Sequence, residues 1–313
     1  VPVLRHLLHT TVQEVRRLAE AGATLDHRDG GILQVCSTAA GLQALRREAD
    51  ECGHWGVRTE VLDSAALHAA EPLLTTAAIG AVRLVDDARF DPALLLAAVT
   101  EEGHRHGVVS YDARAARIEP RGDRSARVHI SMGVLDVTRV VVAAGVWTPT
   151  LCRPLGARLP IASARGNSVT LPDAPKPNSP MLLHEQRLAL SPLTQGLRVT
   201  GGYRLTRHED RAVSSLRSHE IVRRAGQVLD LPVGMQPSNE WTGLRPATPD
   251  GLPIVGALPN APCVLVASGH GMLGSSSGPG TGEVVAALLA GDELPFDPTV
   301  VAPGRFARKG SGR

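Results

Sequence analysis

Trp241-Thr-Gly-Leu-Arg-Pro-Ala-Thr-Pro-Asp-Gly-Leu-Pro-Ile-Val-Gly256, followed by the apolar run 263–268 and the loop Gly269-His-Gly-Met-Leu-Gly274, decides how this chain is read. A residue before proline is pushed out of the helical region, so the segment that ends at Arg245-Pro246 is extended. Trp241, Gly243 and Arg245 then share one face of a strand, and Gly243 leaves room beside the guanidinium. A guanidinium so placed holds a carboxylate through two parallel hydrogen bonds. Taken alone, Arg245 reads more often as a surface or structural ion-pair arginine; its neighbours in sequence shift the reading toward the first use.

The loop has the spacing of a dinucleotide fingerprint, Gly269-x-Gly271-x-x-Gly274, after an apolar strand. In a nucleotide-binding βαβ unit that turn is answered by a second strand with an acid roughly 20 residues on. Here the helix around 283–289 runs into Gly291-Asp-Glu-Leu-Pro295, and no receiving strand is expected. Two readings stay open. Backbone amides at a helix start attract negative charge, and a strand-to-helix turn also needs glycine for positive φ. Pro279 is expected to delay the start of that helix.

Outward from this stretch, residues 3–21 carry leucine and valine at helical spacing, with Gly22 as a stop. A turn at Gly30-Gly31 leads into a strand; helices follow over 38–52 and from Ser64 to Glu71-Pro72, and 79–85 is a strand. Asp91-Pro92 caps a helix through Glu102. Val108-Val109, 115–119 and 127–130 are strand candidates, and 139–145 is a buried strand ending at Gly145. Between 159 and 240 short strands alternate with turns, with one helix at 217–229. The predicted fold class is α/β with an α+β insert. An incomplete Rossmann-like body (1–29, 90–158 and 241–313) carries an antiparallel substrate domain (30–89 and 159–240). Residues 304–313 are expected to be a disordered tail.

Hydrophobic residues make up 43% of the 313, which is ample for a core, but aromatics are only 3%, so the core must be aliphatic. A net charge of +2 offers no basic stripe for nucleic acid. The apolar runs fall short of a membrane span. Cys36, Cys52, Cys152 and Cys263 have neither CxxC nor metal spacing, which suits reduced thiols in a cytoplasmic protein. His104 and His106 point apart on a helix, against metal binding. Tyr203 is read as a core residue, with substrate contact as the alternative.

The chain resembles bacterial FAD-dependent D-amino-acid dehydrogenases and, more distantly, glycine and sarcosine oxidases. The resemblance is carried by Gly30-Gly-Ile-Leu-Gln34, Glu71-Pro72, Val140-Val-Val-Ala-Ala-Gly-Val-Trp147, Leu159-Pro160, Arg165-Gly166, Trp241–Gly256 and Gly269–Gly274. It implies FAD, a D-amino acid or a similar small amino-acid or amine substrate, and oxidation to an imino acid that water converts to a 2-oxo acid and ammonia. Carried over position by position, it makes Arg245 the carboxylate grip. His270, Gly271, Met272, Leu273, Gly274, Ser275 and Ser276 would line the flavin ring, and Ala115 and Gly145 would approach the cofactor through backbone. The electron acceptor is left open between oxygen and a quinone-type carrier, and membrane association stands beside a cytoplasmic location. Hydride transfer to a flavin needs orientation and charge stabilisation more than an acid or base, so no catalytic residue is named.

The family's opening strand, GxGxxG turn and helix have no counterpart before Gly22. Weakened FAD affinity and an exposed sheet edge favouring association are therefore expected. A truncated, flavin-free, inactive remnant remains the alternative to an enzyme.

Overall fold

Helical spacing of Val3, Leu7, Val15 and Leu18 buries one face of the first element, and Gly22, at φ 92°, ends it. The computed structural model describes residues 2–206 and 212–306; Val1, 207–211 and 307–313 lie outside them. The order begins α1 (Pro2–Glu20), β1 (Arg28–Asp29), β2 (Ile32–Cys36), α2 (Ala39–His54), β3 (Thr59–Asp63), α3 (Ser64–Ala70), β4 (Gly80–Leu84), β5 (Ala88–Arg89) and α4 (Pro92–Arg105). It continues through β6 (Ala115–Pro120), β7 (Ala126–Ile130), β8 (Gly133–Val137), β9 (Val140–Val142), α5 (Thr148–Cys152), β10 (Ala162–Leu171), β11 (Met181–Leu183), β12 (Leu188–Leu193) and β13 (Gly196–Thr206). α6 (Ser215–Ala225), β14 (Ser238–Ala247), β15 (Ile254–Leu258), β16 (Ala261–Ser268) and α7 (Gly274–Ala290) complete it. Thr38, Asp63 and Asp91 cap α2, α3 and α4 with side-chain oxygens, as their positions before helical runs predict.

Eight strands form the large sheet in the order β14-β10-β13-β12-β11-β2-β4-β3, with β11 and β2 parallel and the remaining pairs antiparallel. One face of it makes the main core, where Leu33, Val35, Val169, Leu171, Leu197 and Val199 meet Ile221 and Ala225 of α6 and Leu67 of α3. The other face of β10, β13 and β14 carries the site. Between Arg165 and Asn167 the β10–β13 register slips, and Gly202, at φ 82°, takes the bulge.

A second sheet, β15-β16-β9, pairs β16 with β9 in parallel. β9 is its outer strand, and Val141 is 40% exposed there. After β16 the chain turns into α7, and α1 crosses α7 so closely that a Cβ on Gly280 would lie 2.3 Å from the Leu7 carbonyl oxygen. Gly280 N–H donates to Thr11 Oγ1 (3.2 Å), whose hydroxyl donates to Leu7 O (2.8 Å). A third, antiparallel sheet joins β6, β7 and β8.

The α/β character agrees with the sequence, and several local expectations are corrected. Val108 and Val109 lie in an exposed loop, because no neighbouring strand pairs with them among the described residues. The run 139–145 keeps only three residues of strand before turning at Gly145. β8, not expected, continues the β6–β7 hairpin. Pro279 sits inside α7, which begins at Gly274, so the proline does not delay the helix. No strand follows α7 among the described residues. Of the expected tail, residues 304–306 form a turn in which Arg305 bonds Asp250, while 307–313 lie outside the described residues. Because β14 pairs with β10 as far as Ala247, the return from the large sheet to the small one falls between Ala247 and Ile254, later than residue 241.

Candidate active site

Arg245 stands on β14 opposite Ala164 of β10, with Gly166 opposite Gly243 and Ser168 opposite Trp241. These residues share the face turned away from the main core. A Cβ on Gly166 would fall 1.9 Å from Arg245 Nη1 and 2.2 Å from Cζ, so the guanidinium lies in space that only glycine leaves open. Gly243 does something else: its missing Cβ is replaced by the indole of Trp241, 2.2 Å from where that atom would stand. The expectation that Gly243 makes room for the guanidinium is therefore corrected in favour of Gly166, because the pair on neighbouring strands puts one glycine under each side chain.

The guanidinium donates from Nη1 to the Gly202 carbonyl at 2.8 Å. It has no carboxylate partner among the described residues. Burial pushes its pKa down, and the nearby Tyr203 phenol acts against that shift. Arginine nonetheless stays charged at neutral pH. Beside it opens a cavity of about 190 Å³, whose walls include Ser168, Thr200 and Trp241. That is below the ~300–1,000 Å³ of pockets for drug-sized ligands. Tyr203, read from sequence as core, is instead 52% exposed, in a stretch of β13 (202–205) exposed on both faces.

Gly271 N–H donates to the carbonyl of Pro246 (2.9 Å), which ties the loop 269–274 to the residue after Arg245. The loop and the arginine, adjacent in sequence, are thereby adjacent in space. Gly269 and Gly271 adopt positive φ. Leu273, which precedes α7, supplies no side-chain cap, so the amides of Gly274, Ser275 and Ser276 at the positive end of the helix have no side chain closing them. Met272 is 69% exposed beside them. Gly145, at φ 54°, is held from below: the Thr148 hydroxyl donates to Ser268 Oγ (3.0 Å), and Ser268 donates to the Gly145 carbonyl (3.1 Å). The turn it opens, Gly145–Trp147, packs against β14.

Of the residues singled out from sequence, Arg245, Gly145 and the loop from His270 to Ser276 are thus gathered on one side of the molecule. Ala115 is exposed at the start of β6 and pairs with Ile130. His104 bonds Ser110 Oγ at 2.8 Å. Sequence reading missed the Gly166 cradle, the Gly202 acceptor and the buried hydroxyls of Thr148, Ser268 and Thr281. A glycine inside a strand signals close approach of another group and could have disclosed the first; isolated hydroxyls carry no such signal.

A family model described as FAD dependent oxidoreductase matches residues 3–288. The D-amino acid dehydrogenase of Methylobacterium radiotolerans is 32% identical over 296 residues, covering 92% of this chain and 70% of that protein. That of Methylobacterium nodulans is 34% identical over 288 residues, covering 87% of this chain and 66% of that protein. The chain therefore spans about two thirds of the length of these relatives. Glycine oxidase from Geobacillus kaustophilus shares the fold with a TM-score of 0.87 at 22% identity, over 97% of this chain and 83% of that one. L-proline dehydrogenase from P. horikoshii does so with a TM-score of 0.85 at 17% identity, over the same shares. With a family model matching nearly its whole length, the chain belongs to the FAD dependent oxidoreductase family.

Proposed function

We propose that this chain forms the substrate-binding and flavin-facing parts of an enzyme that oxidises D-amino acids, or a similar small amino acid, to a 2-oxo acid and ammonia. The observation that carries this reading is the half-buried Arg245, bonded to one carbonyl, lacking a carboxylate partner among the described residues, and opening on a cavity of small-molecule size. A buried charge without a counterion is costly, and a substrate carboxylate would offset that cost. The names of the relatives point to the same chemistry.

The fit to a flavin is supported by the chain's own atoms. Uncapped amides at the start of α7 suit the negative charge of a reduced ring, and Gly145 leaves its backbone unshielded next to the Arg245 strand. When bound, FAD supplies the two-electron acceptor for the substrate Cα–H bond. Arg245 fixes the carboxylate and therefore where the Cα lies. The walls of Trp241, Ser168 and Thr200 set the size of the side chain. The amides of Gly274, Ser275 and Ser276 hold developing negative charge in place, and no proton transfer is assigned to a side chain. In this reading the large sheet, to Ala247, is the substrate side, and the small sheet with α1 and α7 is the flavin side.

The test is Arg245→Leu. Removing one partner of a buried charge pair costs about 2–5 kcal/mol, so binding of simple carboxylates such as benzoate should weaken at least roughly 30-fold, with Arg245→Lys restoring only part of it. Titration calorimetry that finds equal affinity in wild type and Arg245→Leu removes the assignment.

A further inference from the structure

We infer that His270 is locked as a hydrogen-bond acceptor facing the groove between α7 and the ends of β9 and β16, where it receives an N–H or O–H from an uncharged part of a flavin. The inference builds on the flavin reading above and adds a residue-level role to it. Its starting point is the hydroxyl of Thr281, which is buried and donates its hydrogen to the Ser277 carbonyl at 2.8 Å. With that hydrogen committed, the Thr281 oxygen is left to accept, and His270 Nε2, at 2.9 Å, must be the donor. A neutral imidazole with its hydrogen on Nε2 presents a lone pair at Nδ1.

The His270 ring lines the groove. Its Nδ1 has no hydrogen-bond partner among the described residues, yet it is not among the sealed polar atoms that lack one. The groove holds about 370 Å³, and Val141, Ala143, Ala267, Gly278, Gly282 and Val285 line it with apolar or glycine surface. No charged side chain lines it, so the ligand segment it suits is uncharged, and His270 offers that segment a directional polar contact. Burial drives the imidazole pKa down to about 4, which keeps the ring neutral at pH 7.

The test combines ring-nitrogen NMR with flavin binding to the intact chain. In two-bond ¹H–¹⁵N spectra His270 should show the Nε2-protonated neutral pattern at pH 7, and its Nδ1 signal should move on addition of riboflavin. By fluorescence titration, His270→Phe should weaken riboflavin at least tenfold. Thr281→Val, which frees the tautomer and keeps the ring, should weaken it to a lesser degree. Lumiflavin, which lacks the ribityl chain, separates the two donor sources: equal weakening assigns the ring imide N–H, and weakening of riboflavin alone assigns a chain hydroxyl. An Nδ1-protonated or doubly protonated ring overturns the inference, as does a folded His270→Phe protein that binds riboflavin like wild type. Wild type that binds neither riboflavin, lumiflavin nor FAD overturns the flavin reading itself and this inference with it.

Discussion

In the reading proposed above, the two halves of the site hold charge in opposite ways. On the large sheet one long side chain does it: Arg245 rests over Gly166, and about twenty buried residues stiffen the strands beneath. On the small sheet the backbone does it, through amides of the loop 269–274 and the first turn of α7, braced by Thr148, Ser268 and Thr281. A side-chain device depends on what its neighbours omit, here a single Cβ. A backbone device depends on how helices and buried hydroxyls hold the turn. Substitutions that add atoms should therefore damage the first, and substitutions or protons that disturb packing should damage the second.

Gly166→Ala makes the sharpest break. The new methyl would occupy the position of the guanidinium, 1.9 Å from Nη1, and Arg245 would have to leave its seat. Carboxylate affinity should fall nearly as far as in Arg245→Leu, by about 2–5 kcal/mol, while riboflavin affinity stays within about threefold, since no flavin-side residue moves. Calorimetry with benzoate and fluorescence with riboflavin, run side by side, check it. Equal loss of both ligands would show that the two halves do not act separately.

Acid should attack the other half. His270 has a folded pKa of about 4 against an ordinary 6.5, so the unfolded chain binds more protons between those values. That contribution to stability is complete above about pH 6.5 and is lost as pH falls toward 4, by at most about 3 kcal/mol. Thermal melts from pH 7.5 to 4.5 should show a decline that His270→Phe flattens. An unchanged slope in that variant would mean that another group governs the decline.

Much of this arrangement was legible in the sequence. Arg245-Pro246 announced an extended strand and Asp91-Pro92 a helix start. What escaped notice was pairing. Gly166 and Gly243 lie 77 positions apart, and only the β10–β14 register shows which glycine serves the guanidinium and which the indole. Val108-Val109 has strand composition but pairs with no strand among the described residues, whereas Gly133–Val137 becomes a strand because β7 already offers an edge. Strand identity is settled by neighbours more than by residue type.

Gly280→Ala probes the brace behind the backbone device. The added methyl would meet the Leu7 backbone at 2.3–2.9 Å, which cannot rotate aside as a side chain can, so α1 must lift from α7. Overpacking of this kind costs about 1–3 kcal/mol and should lower the melting temperature by several degrees. Riboflavin affinity should fall with it while benzoate affinity holds, the mirror image of Gly166→Ala. If neither stability nor riboflavin binding responds, the α1–α7 contact does not support the turn.

The smallest effect is expected where the two sheets join. Asp250, in the turn between β14 and β15, is partly desolvated, which opposes ionisation. The hydrogen bonds from Arg305, with help from the Leu252 amide, outweigh this and hold its pKa below the usual carboxylate range. The Arg305 side chain is 11% exposed and also donates to the carbonyls of Leu252 and Val301, but the Asp250 side chain is 37% exposed, so water screens much of the pair. Arg305→Ala should therefore cost only about 1 kcal/mol, seen as a small shift in urea midpoint with unchanged slope. Because the lowered Asp250 pKa stabilises the fold above its ordinary value of 3.8, the difference between wild type and variant should shrink as pH falls through that region. A loss that is large and indifferent to acid would instead assign Arg305 a packing role, with its carbonyl bonds rather than its charge joining the two halves.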